Sequence, residues 1–245
     1  MTSRIIHSVL LFLAWSFSQT AWAQEIPNRN WDGEKIRGVR FIPYPVYTGF
    51  SFLNFTYVPG QIEFTNGEIA DSLNLRYSSF KDELVYYNKA ITSQIVIDKA
   101  SLKGFSYTEK DGSYHLFRKQ YYDGLLKGDR YFEVLSEGEP DLLVYRKVTL
   151  SITSAYKDDR GILKNMIYET SYQYFLYSRE QGYTSVRINQ GGLLAKFDKT
   201  LKKPIKKLLR KNRIKIIDEA SFILAWKVVE KEGYKIIFKK KNLKR

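Results

Sequence analysis

From about residue 58 to residue 190 the chain is punctuated. Short β-prone runs recur, each closed by turn-forming residues. Gln61-Ile62-Glu63-Phe64-Thr65 alternates, Asn66-Gly67 follows, and Glu68-Ile69-Ala70 resumes the run. Asn-Gly supplies the two left-handed residues of a tight hairpin, so a hairpin is predicted there. Leu73 to Tyr77 and Glu83 to Tyr87 flank a polar turn at Ser78 to Asp82. Lys110-Asp111-Gly112-Ser113 turns the chain into Tyr114 to Phe117. Tyr131 to Leu135 and Leu142 to Ile152 flank Glu137-Gly138-Glu139-Pro140, and Tyr168 to Tyr177 and Tyr183 to Ile188 flank Arg179 to Gly182. Strands at roughly 8–12-residue spacing predict an antiparallel body built as a meander, a barrel or a sandwich. The 19 Tyr and 15 Phe suit that body, because aromatic rings pack well on pleated, half-buried surfaces.

The period changes near Gly191-Gly192. Leu194, Phe197, Leu201, Ile205 and Leu208 follow helical spacing, with Lys196, Lys199, Lys202, Lys203, Lys206, Lys207 and Arg210 between them. A break is expected near Asp198-Lys199-Thr200, with Pro204 tolerated near the start of the second piece. A further helix is predicted after Asp218, a suitable N-cap, with Phe222, Trp226 and Val229 as its apolar stripe and Gly233 as its stop. Tyr234 to Phe238 reads as a last strand, and Lys239 to Arg245 as a solvated tail. The fold class is therefore α+β: an antiparallel β body followed by a small basic helical subdomain.

Charge follows the same division. Residues 196–245 hold 18 Lys and Arg against 5 Asp and Glu, whereas residues 24–195 hold 21 of each sign. A cationic end on a neutral body is where an anionic partner would dock. Lys199, Lys202, Lys203, Lys206, Lys207, Arg210, Lys211 and Arg213 are its candidate contacts.

Residues 1–23 read as a signal peptide. Arg4 heads an apolar run from Ile5 to Phe17, and Ala21-Trp22-Ala23 offers small-x-small cleavage chemistry. The run is shorter than the ~20 residues that span a bilayer as a helix. Residues 24–57 read as an extended aromatic and Pro-rich arm, 58–190 as the β body and 191–245 as the basic helical end and tail. Proline cannot donate to a ladder, which places Phe41-Ile42-Pro43-Tyr44-Pro45 at an edge. The chain has no cysteine. Disulfides, thiolate catalysis and Cys-ligated zinc are excluded, and an exported chain without disulfides fits a bacterial envelope.

Several blocks have a familiar pattern: Pro59-Gly60-Gln61 through Asn66-Gly67, Leu75-Arg76-Tyr77, Lys81-Asp82-Glu83-Leu84, and Tyr131-Phe132-Glu133-Val134-Leu135 with Gly138. Leu193-Leu194, Phe197, Lys206-Lys207 and Lys211-Asn212 extend it. Together they resemble an uncharacterised family of exported β-rich proteins of Bacteroidota with a Lys-rich helical C-terminal segment. Ser78 stands where that family has Asn, and Pro204 interrupts the basic segment. The resemblance implies a bacterial envelope protein; the leader places the expected site in the periplasm, at the periphery of the outer membrane, or outside the cell. It implies no activity.

Catalytic chemistry is sparse. His115 is the one histidine beyond the leader, and as a general base it would need Asp111 or Asp123 as orienter and a serine nucleophile. No G-x-S-x-G elbow accompanies it, so it reads as a cross-strand or surface residue. One His without Cys falls short of a zinc site, and no phosphate-cradling loop is present, so no metal or cofactor is expected. Gly191-Gly192 reads either as an anion-facing helix start or as a hinge. The leading expectation is a non-enzymatic envelope protein that binds a partner or an anionic lipid or glycan surface through its basic end. Nucleic acid would answer the same charge, but export removes the chain from it. Two readings stay open beside this: an accessory subunit of an outer-membrane assembly with the arm buried on its partner, and a glycan-acting hydrolase using paired Asp and Glu.

Overall fold

A computed structural model describes residues 36–124, 127–152 and 166–238. The leader, the start of the arm and the Lys239–Arg245 tail lie outside the described residues. Eleven strands form one antiparallel sheet. They are β1 (Gly38–Arg40), β2 (Val58–Phe64), β3 (Ile69–Ser78), β4 (Glu83–Asn88), β5 (Ser93–Ile97) and β6 (Leu102–Thr108), then β7 (Tyr114–Tyr122), β8 (Gly128–Ser136), β9 (Asp141–Ile152), β10 (Met166–Ser178) and β11 (Gly182–Val186). Spatial order is β1-β5-β4-β3-β2-β6-β7-β8-β9-β10-β11. Two meanders thus share a seam where β6 returns beside β2.

Turn chemistry sets the register. At Asn66-Gly67 only Gly67 is left-handed, with φ +87°. Gly67 N–H bonds Phe64 C=O at 3.0 Å, and Phe64 N–H bonds Glu68 C=O at 2.9 Å. The loop is therefore three residues long, a type I turn followed by a left-handed glycine, and not the two-residue turn expected. Asn66 Oδ1 accepts the Glu68 N–H at 3.0 Å, an alternative to a left-handed Asn. The β6–β7 hairpin repeats the device, with Gly112 N–H on Glu109 C=O and Asp111 Oδ1 accepting from Ser113 N–H.

The sheet is strongly curled. Tyr77 on β3 and Tyr131 on β8 have ring centroids 5.8 Å apart. Four strand steps separate them, which is about 19 Å in a flat sheet. Register shifts on either side of β2, where β3 carries one extra residue at Asp71–Ser72 and β6 one at Lys103, mark bulges that sharpen twist where the curl needs it. The enclosed space is filled by rings: Phe105 and Phe117, cross-strand partners, stack at 4.6 Å, and Tyr77 and Tyr131 meet them. Around them Ile62, Leu75, Leu84 and Leu102 are buried.

Segment 41–57 runs along the sheet from β5 toward β10. Phe41 N–H bonds Gln94 C=O beside β1, and Tyr44 OH donates to Glu83. Further on, Tyr168 N–H on β10 bonds Thr48 C=O at 2.8 Å, and Leu53 N–H returns to Tyr77 C=O. The arm thus supplies an edge strand and then straps β5 to β10.

Helices cover β9, β10 and β11. They are α1 (Gln190–Leu194), α2 (Lys202–Lys211), preceded by a 3-10 turn at Lys199–Leu201, and α3 (Glu219–Lys231). Asp198 caps the 3-10 turn through the Thr200 N–H, and Asp218 forms a capping box with Ser221. Ile205 and Leu209, one turn apart, are fully buried, and Leu208 packs beside them on the same core, partly buried. Phe222, Ala225, Trp226 and Val229 of α3 meet Leu142, Leu176 and Val186 of the sheet in one core. Tyr234–Phe238 is not a ladder strand. Ile237 N–H bonds Lys196 C=O, while Tyr234, Ile236 and Phe238 pack on the helical core.

Candidate functional site

α2 is strongly amphipathic. Ile205 and Leu209 face the core, one turn apart, and the lysines occupy the rest of the circumference. Lys199, Lys203, Lys206, Lys207, Arg210, Lys211 and Arg213 are exposed, and Lys202 is half-buried. The structure therefore gathers all eight candidate cations on one segment at the protein surface. Among the described residues none of the eight forms an ion pair. The carboxylate nearest in sequence, Asp198, is committed to the Thr200 N–H and hydroxyl.

The C-terminus of α2 carries a cost. Ile214 N–H bonds Leu209 C=O and Arg213 N–H bonds Arg210 C=O, the paired bonds of a Schellman stop. Its left-handed position is normally glycine, but here it is Arg213, with φ +55°. A cation is held where an L side chain is disfavoured by roughly 1–2 kcal/mol.

A second cluster is buried. Glu133 on β8 is 4 % exposed. His115 Nδ1 lies 2.6 Å from Glu133 Oε1, and Arg146 Nε on β9 donates to Glu133 Oε2. Arg146 Nη2 donates to Glu219 Oε1 at 2.8 Å, and Tyr174 OH donates to Glu219 Oε2 at 2.7 Å. One chain of contacts thus runs from β7 through β8 and β9 to the first turn of α3 and back to β10. Burial alone raises the Glu133 pKa, but His115 and Arg146 outweigh it and hold the carboxyl below its usual range. The Glu133 hydrogen bond raises His115, against the opposing pull of burial. Burial opposes the Arg146 charge, yet Glu133 and Glu219 raise its pKa.

The partners of His115 are Glu133 and, at 3.9 Å, Glu109, not the Asp111 or Asp123 that a base would have recruited. No serine bonds it among the described residues. Sequence reasoning missed Glu133, Arg146, Glu219 and Tyr174. A signal was present: Tyr131, Glu133 and Leu135 share one strand face, as do Val144, Arg146 and Val148, so alternation alone turns both charges inward.

Among the described residues the other buried carboxylate is Asp82, 6 % exposed, which accepts from Tyr77 OH at 2.6 Å and pairs with Lys99. Both buried acids are thus saturated by donors. Asp141 approaches Glu230, whose pKa is raised by partial burial and by that neighbouring charge, but Asp141 is bound by Arg118. Paired-carboxylate chemistry finds no shared cleft among the described residues. No group of three or more metal-ligating side chains gathers there either. Gly192 sits inside α1, where Asn189 Oδ1 takes its N–H at 2.7 Å, and a Cβ would fall 2.1 Å from Arg187 C=O. Close backbone approach is its role.

Two depressions stand out among the described residues. One, of about 240 Å³, lies over Gly104 and Ser106 between Glu63 and Arg118. The other, of about 900 Å³, runs beside Tyr172, Gln173 and Tyr174 of β10 and the segment from Ser185 to Lys196. No described helix is long and apolar enough to cross a membrane. No family model matches the chain, and neither curated proteins nor solved structures yield a match.

Proposed function

We propose that this is an exported, non-enzymatic protein of a bacterial envelope that docks on an anionic surface through its basic helical end. The carrying observation is the arrangement of Lys199 to Arg213: eight cations without an ion pair among the described residues, on a segment whose apolar side is buried. Unneutralised charge at fixed positions attracts an anionic surface at about 1 kcal/mol per Lys, screened beyond ~8–10 Å. The left-handed Arg213 supports the reading, since it keeps a cation where glycine fits the backbone better. Export rests on the leader read at residues 1–23.

The test is co-sedimentation with vesicles of anionic and of zwitterionic lipid, at low and high salt. Selective, salt-sensitive binding is expected. Replacing Lys202, Lys203, Lys206 and Lys207 with Gln lowers it by up to about a thousandfold. Binding that ignores lipid charge or survives the four substitutions sinks the proposal.

One observation favours a second reading, an accessory subunit of an assembly. The arm presents Ile42, Val46, Phe50 and Phe55 to solvent, Val46 at 97 %. Apolar groups exposed in series mark an interface. A stoichiometric partner should copurify in detergent and be lost when Phe50 and Phe55 become Ser. Copurification unchanged by those substitutions rejects the arm as its interface.

A further inference from the structure

The helical end presents aliphatic side chains as well as charge. Ile217, in the link between α2 and α3, is 74 % exposed, and Leu224 on α3 is 58 % exposed. In the link, Ile214 and Ile216 pack on the helical core while Lys215 and Ile217 face solvent, the alternation of an extended segment. Ile217 thus occupies an outward position next to a lysine. On α3, Phe222, Ala225, Trp226 and Val229 turn one side into the core. Ala220, Leu224, Lys227 and Lys231 follow the spacing of the opposite side, and all four are exposed. Ile217 stands one residue before the Asp218 cap, so the chain allows at most about 15 Å between it and Leu224, and about 14 Å between it and Arg213.

A single exposed Ile or Leu is ordinary. These two lie within one segment, with exposed cations on both sides of them in sequence. Among the described residues Lys215, Lys227 and Lys231 form no ion pair, like the eight cations of Lys199 to Arg213. The acids between Ile217 and Leu224 are engaged: Asp218 takes the Ser221 N–H at 2.8 Å, and Glu219 is held by Arg146 and Tyr174. The surface is also not a groove. Neither depression is lined by any residue beyond Lys196. An inserted peptide would find no cleft here, whereas a bilayer needs none.

We infer that the partner of this surface is an anionic lipid bilayer, and that Ile217 and Leu224 enter its headgroup–acyl boundary while the surrounding lysines stay with the phosphates. Apolar area and charge then add, as they do for helices that lie in a membrane interface. Lysine stems run along apolar surface and keep their ammonium groups at headgroup level, so the two kinds of side chain act at one depth. A second copy of this chain is disfavoured as occupant, because it would set another cationic segment, with 18 Lys and Arg from Lys196 onward, against the first. The inference rests on the surface-docking reading above and adds to it a lipid partner and an apolar anchor.

The test uses the full chain. It has no cysteine, so Leu224→Cys gives one attachment point for an environment-sensitive dye, and Tyr114→Cys, at an exposed position on β7, gives a reference on the body. Vesicles are phosphatidylglycerol mixed with phosphatidylcholine, or phosphatidylcholine alone. On the anionic vesicles the dye at 224 should shift to the blue and be quenched by nitroxides on the acyl chains, and the dye at 114 should do neither. Ile217→Ser and Leu224→Ser should each weaken binding at least about fourfold, the equivalent of one methylene group left in water. That loss should persist at high salt, where the loss from replacing Lys202, Lys203, Lys206 and Lys207 with Gln shrinks. No binding to anionic vesicles overturns this inference together with the reading it rests on. Binding without the blue shift, or binding that Ile217→Ser and Leu224→Ser leave unchanged, overturns this inference alone. Poly-glutamate that binds as tightly as the anionic vesicles and shifts the dye at 224 as far overturns it in favour of an acidic protein.

Discussion

Arg146 on β9 and Glu219 in the first turn of α3 meet at 2.8 Å, and this contact ties the helical layer to the sheet. Arg146 also holds the buried carboxylate of Glu133, so the tie and the burial of that charge depend on one guanidinium. Arg146→Leu leaves Glu133 with His115 alone and is expected to cost about 3–5 kcal/mol. Glu219→Gln keeps a hydrogen-bonding group at the surface end and should cost about 1 kcal/mol. Urea unfolding measures both. Equal losses would show that the surface contact, not the buried acid, dominates.

His115 gives the fold a pH dependence. Glu133, Glu109 and Arg146 are the charged groups around it, and the net effect raises its pKa. Its free value is about 6.5. A group raised on folding contributes stability that is whole below the unfolded value and is lost as pH rises through the folded value. The stability difference between the wild type and His115→Gln should therefore shrink as pH rises above about 6.5. A difference that grows with pH over that range contradicts the assignment.

The two faces of α2 predict opposite responses. Ile205 is fully buried, and Ile205→Ala should cost about 2–5 kcal/mol. Lys206, its neighbour, is exposed and has no ion pair among the described residues, so Lys206→Gln should stay within about 0.5 kcal/mol. Thermal unfolding of the pair checks whether lysines on this helix serve stability or the surface.

Arg213 sets stability against docking. Arg213→Gly relieves the left-handed side chain and should stabilise by roughly 0.5–1 kcal/mol, after the greater freedom of unfolded glycine is offset. The same change removes a cation and should weaken binding to anionic vesicles. A more stable variant with undiminished binding would take Arg213 out of the docking surface.

Much of the fold is legible because its signals are local. Asp198 and Asp218 cap where their chemistry says they should, and Phe222, Trp226 and Val229 form the predicted stripe. Misreadings occur where a neighbour decides. Leu209 joins the stripe beside Leu208 because both face the same core, and Tyr234–Phe238 looks like a strand but meets helices. The basic face was visible as charge against a helical period, whereas the ionic relay was not. His115, Glu133, Arg146 and Glu219 are spread over 105 positions of sequence, and only strand register brings them together.

The amino-acid sequence by itself determined the class of fold, the helical break near Asp198, the start of α3 at Asp218 and the side of α2 that carries charge, since hydrophobic period, capping and charge act within a few residues. Tertiary structure alone decided how far the sheet curls and which buried charges pair. Those outcomes depend on which strand ends where beside which neighbour, a matter of distances between residues far apart in the chain.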